Sequence, residues 1–159
     1  MGPRAFIMEE KRVSHYSEIP LTCKDKQAVI DAMIACGIPK EHIEVHDKPQ
    51  LLKDYQGNTS KYRYSDHQDE RFSNGDQAHI VVRRQHLGSL QNDMGVYLDG
   101  DKSQVFICDF ARNNKSFTLN KFSKEYNFAA AKRHLAKAGK ILHRVDAPDG
   151  KIHAFVKAS

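Results

Sequence analysis

The chain has 159 residues, 40% of them hydrophobic and 28% charged, with a formal net charge of +5. That length holds one domain, or one domain with an insertion, and no apolar run approaches the roughly 20 residues a helix needs to cross a bilayer. The first residues lack the basic, apolar, small-residue order of a secretory signal, and Phe6 breaks the lipidation pattern that Met1-Gly2 would open.

In chain order, residues 1–13 read as a flexible N-terminal extension, with Met8 as an alternative start. A single α+β domain follows over 14–158. Ser14 to Leu21 reads as a short strand. Thr22 offers an N-cap with Asp25 three residues on, a weak capping box. Val29, Ile30, Met33, Ile34 and Cys36 then carry helical periodicity to Gly37, so a first helix is expected over Lys24–Cys36. Ile43 and Val45 alternate with His42, Glu44 and His46 as in a half-buried strand, which Pro49 is expected to bend. From Gln56 to Gln77 there is no apolar periodicity, and the stretch reads as a long, mobile surface loop inserted in the domain. Its Lys61-Tyr62-Arg63-Tyr64 run interleaves rings with positive charge, a pattern that can stack on bases.

Ala78 to Arg84 is the next strand. Met94–Leu98 and Gln104–Asp109 form a hairpin across Asp99-Gly100. Lys115 to Tyr126 is basic and aromatic and suggests a short helix. Asn127 then caps another helix, in which Phe128, Ala131, Leu135 and Ala138 share a face and Gly139 supplies the stop. Lys140–Asp146 and Lys151–Lys157 form a second hairpin across Ala147-Pro148-Asp149-Gly150. The expected architecture is a single antiparallel sheet with two helices packed on one face, plus the long polar loop.

Two stretches carry candidate chemistry. In His79–Val96 the residues Arg83, Arg84, His86, Asn92 and Asp93 crowd one strand-turn-strand. Arg84 and His86 are expected to point together with Arg83 opposite, and the turn through Gly88-Ser89 returns Asn92 and Asp93 beside them. The cluster could grip a phosphate or carboxylate, or it could be an internal ion pair in which Asp93 holds an arginine. Downstream, residues 111–144 carry nine Lys and Arg against one acid, Glu125, so the rest of the chain is net acidic. Lys121, Lys124, Lys132, Arg133, Lys137 and Lys140 make this half a candidate surface for RNA or DNA.

Other chemistries find less to build on. Cys23, Cys36 and Cys108 form no CxxC pair and read as buried apolar residues in a reducing compartment, so the expected location is cytoplasmic. His42 and His46 lie about 13 Å apart along the expected strand, too far to share a zinc with bonds of about 2 Å. No metal ligand or cofactor is therefore assigned. GxxxxGK[ST], GxGxxG and GxSxG are all absent.

Ser14-His15-Tyr16-Ser17-Glu18-Ile19, Pro49-Gln50, Tyr55-Gln56-Gly57, Ile80-Val81-Val82-Arg83-Arg84, Gly88, Asn92-Asp93-Met94-Gly95 and Asp109-Phe110 stand in this order. Together with the C-terminal helix and hairpin, they resemble the hypothetical chloroplast reading-frame thirty-five family of plastids, cyanobacteria, other bacteria and phages. The resemblance spans roughly Val13 to Lys157. It implies a domain of unknown function, a stromal location if plastid-derived, and an accessory role beside AAA-type ATPases. The polar loop 58–76 and the extension before Val13 depart from that pattern.

The expected function is a small non-enzymatic module that binds an anionic partner, most readily nucleic acid. A protein-protein adaptor or host-directed inhibitor is the second reading. An enzyme acting on phosphate esters or nucleotides, with His86 as acid/base, is the third. No membrane partner is expected, and the residues leave the oligomeric state open.

Overall fold

The computed structural model describes residues 24–88, 91–107 and 118–158. The extension 1–13, the strand expected at Ser14–Leu21, the Thr22 cap, Cys23, Cys108, Asp109-Phe110, Arg112 and Lys115 lie outside them. Among the described residues no helix is long and apolar enough to cross a membrane.

The first helix, α1 (Lys26–Ala35), falls where its periodicity places it, but its cap is Asp25. The Asp25 carboxylate accepts the Ala28 N–H at 3.2 Å, satisfying one of the donors a helix start leaves open. At the other end Gly37 turns left-handed at φ 99°. The Ile38 and Gly37 amides then bond back to the Met33 and Ile34 carbonyls, a Schellman closure that buries Ile38.

The strand β1 (Glu44–Leu51) runs on through Pro49. Its register against β2 (Gln77–Val82) slips between Val45 and Gln50. Proline cannot donate to a ladder, and a sheet edge tolerates that loss as an irregularity. β3 (Met94–Tyr97) and β4 (Gln104–Phe106) complete an antiparallel sheet in the order β1-β2-β3-β4. The expected Asp99-Gly100 hairpin is present, closed by a 3-10 turn over Gly100–Lys102. Gly95 sits where Ala78 and Ile80 cross it. A Cβ there would stand 2.5 Å from the Ile80 carbonyl oxygen, so the close approach requires glycine.

Two apolar clusters flank this sheet. Ile80, Val82, Met94, Val96 and Val105 join Ala28, Val29, Ala32 and Met33 of α1 and Phe122, Tyr126 and Ala129 further along the chain. Val81 and Phe106 instead join Leu52 and Phe72.

That second cluster corrects the reading of 56–77 as a mobile solvated loop. A short helix, α2 (Tyr62–His67), and a 3-10 turn over Glu70–Phe72 occupy it. Phe72 is fully buried, edge-on to Tyr97 and Phe106. Asp76, also buried, accepts the Ser60 hydroxyl at 2.6 Å and the Tyr62 and Arg63 amides at 2.8 and 3.0 Å, capping α2. Burial pushes the Asp76 carboxyl above its ordinary range despite these donors. Tyr62 packs against the cluster, so it is not a ring held out for stacking. Periodicity missed the segment because it buries few side chains, at irregular spacing, around one polar cap.

Asp69 anchors the same segment by accepting from Arg71 Nη2 at 2.9 Å, while Arg71 Nη1 donates to Asp99 at 2.9 Å. The Arg71 hydrogen bond holds the Asp69 carboxyl below its usual value, against the opposing effect of burial. A folded-state value lowered in this way gives stability that is complete above the unfolded value of about 3.9 and is lost as pH falls through the folded one. In urea titrations below about pH 4, Asp69→Asn is therefore expected to lose less stability on acidification than the native chain. Parallel losses would mean that the ion pair contributes nothing.

The two helices expected over Lys115–Ala138 are one among the described residues. This helix, α3 (Leu119–Ala136), has Thr118 as its cap, the hydroxyl accepting the Lys121 amide at 3.0 Å. It passes through Asn127, whose cost inside a helix is only a fraction of a kcal/mol, under about 0.7. The buried stripe is Leu119, Phe122, Glu125, Tyr126 and Ala129. Of the expected apolar face, Ala131 and Ala138 are exposed, and Phe128 and Leu135 are only partly covered. Starting the helix nine residues earlier, at Leu119 rather than after an Asn127 cap, moves the covered turns towards its N-terminus.

The C-terminal strands β5 (Lys140–Asp146) and β6 (Ile152–Ala158) pair as expected, but as a separate two-stranded sheet. Among the described residues the fold is thus α+β with two antiparallel sheets, not one. The ribbon is tied to α3 by Arg144, whose guanidinium donates to both oxygens of Glu125 at 2.7 Å. It also lies over the Phe128 ring.

Candidate functional site

The crowded run from Arg83 to Asp93 forms a bonded knot. β2 ends at Val82, and Arg84–His86 is a 3-10 turn, so strand alternation does not govern where Arg83, Arg84 and His86 point. Asp93, 1% exposed, is the hub. Its carboxylate accepts the Lys53 amide at 2.7 Å, the Arg84 amide at 2.6 Å and Arg83 Nη1 at 3.0 Å. Its own amide donates to the Lys53 carbonyl at 2.8 Å. Arg83 also donates to Glu44 and to the Leu51 carbonyl. Burial disfavours the charged guanidinium, but the Glu44 and Asp93 hydrogen bonds outweigh it and hold Arg83 firmly protonated.

Arg84 is placed differently. Asp54 accepts the Gln56 and Asn58 amides across a turn, and the Tyr55 carbonyl in that turn accepts Arg84 Nη2 at 2.7 Å. Arg84 Nε and Asn92 Oδ1 are both buried and lack a hydrogen-bond partner. His86 is exposed and stacks on His42, with centroids 3.9 Å apart and rings 12° from parallel. The arrangement an acid/base pair would need, His86 and the Arg84 guanidinium converging on Asp93, is not what these bonds build. Asp93 holds the Arg84 backbone, and the His86 ring lies against another histidine.

The basic half divides the same way. Arg133 Nε donates to Asp25 at 2.8 Å, tying α3 to the cap of α1. Arg144 is shared between Glu125 and Asp146, and the Glu125 hydrogen bond chiefly keeps it charged. Among the described residues Lys121, Lys124, Lys132, Lys137 and Lys140 are not so used; Lys132, Lys137 and Lys140 are exposed. Lys121 and Lys124 line an open groove of about 510 Å³ between the first turns of α3 and the β5–β6 turn, where Lys151 faces them. Lys124 Nζ reaches the Gly150 carbonyl at 3.2 Å across it. The carboxylates lining the groove, Glu125 and Asp146, are both bonded to Arg144. None of the three lysines has an ion pair among the described residues.

Lys151 is the residue that sequence reasoning missed. It lies in a hairpin turn some 30 positions from Lys121, and no local pattern connects the two. Among the histidines, His79 accepts the Leu98 amide at 3.0 Å, and burial pulls its pKa down, aided by Lys26. Cys36 lies in the main cluster, and burial raises its thiol to about 11. Among the described residues no three His, Cys, Asp or Glu side chains gather closely enough to share a metal ion.

No family model, no curated protein and no solved structure matches this chain. The resemblance to the chloroplast reading-frame family therefore rests on its motifs alone.

Proposed function

We propose that this protein is a non-enzymatic module that binds a polyanion, most readily nucleic acid, and that the groove between α3 and the β5–β6 turn receives the phosphates. One observation carries the reading. Among the described residues, three lysines from two distant parts of the chain line one groove with Arg144, against two carboxylates, Glu125 and Asp146, that both bond to that arginine, which leaves the lining net positive. Lysines in excess over carboxylates repel one another, and a phosphate backbone relieves that repulsion while releasing its own counterions. Lys132, Lys137 and Lys140, exposed further along α3 and at the start of β5, continue the positive surface. In this reading Arg83 and Asp93 support the fold, and Arg133 belongs to the helix-helix tie.

The test is fluorescence anisotropy with a labelled oligonucleotide between about 50 and 200 mM salt. Lys121→Ala/Lys124→Ala/Lys151→Ala is expected to weaken binding at least tenfold and to flatten the salt dependence by about one unit of slope per lysine. The native chain should lose affinity steeply as salt rises. No binding to any nucleic acid at low salt, or a triple variant that binds like the native chain, overturns the proposal.

A further inference from the structure

Lys121 and Lys124 are half-buried, whereas Lys132, Lys137 and Lys140 stand in solvent. An ammonium group partly shielded from water interacts more strongly with a charge placed beside it. Both line the groove with Lys151 and Arg144, against Glu125 and Asp146, so among the described residues its charged side chains sum to +2. Thr118 and Asn120 open the first turn of α3 onto the same space, and that turn holds no acidic residue. Its amide dipoles add to the positive field. The Thr118 hydroxyl oxygen accepts the Lys121 amide, which leaves its own O–H able to donate.

Size and charge decide which phosphate fits. At about 510 Å³, the groove has the volume of a small-ligand site, for which about 300–1,000 Å³ is usual, rather than that of a channel following a strand. It is also bridged, since Lys124 Nζ donates to the Gly150 carbonyl at 3.2 Å, from α3 to the β5–β6 turn. A strand threaded through must break that contact, whereas a chain end can enter and stop. An internal phosphodiester brings a single charge. A terminal phosphomonoester brings about −1.5 to −2 at pH 7 and three acceptor oxygens. That charge matches the +2 lining, and the oxygens match the three ammonium groups of Lys121, Lys124 and Lys151.

Resting on the reading that this groove receives phosphate, we propose that it is an end-binding site, selective for the phosphomonoester dianion of a nucleotide, free or at the end of a strand, over internal diesters. Anisotropy at about 150 mM salt compares oligonucleotides of one sequence that end in a 5′-phosphate, in a 3′-phosphate, or in hydroxyls at both ends. A phosphorylated strand is expected to bind about tenfold tighter than the hydroxyl strand, the scale of one further charge-assisted hydrogen bond. Lys151→Glu, at an exposed turn position, should erase that difference. Lys132→Ala/Lys137→Ala, on the exposed part of α3, should weaken all the strands alike and keep it. Competition by adenosine monophosphate then identifies the source of the group, and adenosine should displace nothing.

Equal affinity for phosphorylated and hydroxyl strands, with the triple lysine variant still impaired, overturns the end-binding proposal and leaves the polyanion reading standing. A preference that survives Lys151→Glu also overturns it, because the end then binds elsewhere. Binding of adenosine monophosphate with no binding of any strand supports the phosphomonoester site and overturns the nucleic-acid reading. Failure of strands and adenosine monophosphate alike overturns both.

Discussion

Asp93→Ala is expected to destabilise the protein by about 3–5 kcal/mol, the range for breaking a buried charge pair by removing one partner. The amides of Lys53 and Arg84 and the guanidinium of Arg83 all donate to this carboxylate. Alanine leaves the two amides without their acceptor, and each costs about 1–3 kcal/mol if water cannot replace it. Arg83 keeps Glu44 and the Leu51 carbonyl, so the arginine is not stranded. The reverse change should therefore be milder. In Arg83→Met, Asp93 retains both amide donors and Glu44 is only half-buried. Urea unfolding of the two variants checks the order, and Arg83→Met falling as far as Asp93→Ala would show that the ion pair, rather than the amide capping, holds the knot. A binding role for Asp93 predicts native stability with lost affinity, the opposite pattern.

Phe72→Ala should cost about 3–5 kcal/mol, the usual loss for a fully buried phenylalanine. Phe72 has no exposed surface and meets Tyr97 and Phe106 edge-on, an arrangement that adds roughly 0.5–1.5 kcal/mol to area burial. It closes the second apolar cluster, so its loss should also free the segment between Ser60 and Asp76. Hydrogen exchange reads this directly. In the native chain the Tyr62, Arg63, Gly75 and Asp76 amides, all hydrogen-bonded, should exchange slowly. In Phe72→Ala they should exchange far faster than the amides of β2 and β3. Fast exchange of these amides in the native chain would mean that the segment is the mobile loop its composition suggests.

The two predictions mark where sequence reasoning stopped. Asp93 was legible as a member of a polar cluster, because five costly side chains within one short run are seldom idle. Which partner it holds was not legible. Lys53 and Glu44 reach the knot from β1 and the turn after it, some 40 residues earlier, and only strand pairing brings them there. Phe72 was invisible for a different reason. One aromatic side chain among polar neighbours has no periodicity, and its burial depends on the far sides of Val81 and Phe106, residues that alternation assigns to a face without naming what covers it. The groove shows the same division. Lys121 and Lys124 stood out in a run poor in acids, but their partner Lys151 and the neutralisation of Glu125 by Arg144 follow from a hairpin folding back on a helix.

By itself the sequence determined the local elements: α1 with its glycine stop, the strands around Val81 and Val96, both hairpins, and the concentration of positive charge in residues 111–144. These depend on interactions within a few residues, which spacing and residue type record. The tertiary structure alone decided that the last hairpin forms its own sheet, that residues 56–77 are packed, and that Arg83, Arg133 and Arg144 are held by carboxylates while, among the described residues, Lys121, Lys124 and Lys151 are not. Whether a charge is paired depends on distances between segments remote in sequence. The pattern along the chain carries almost no record of those distances.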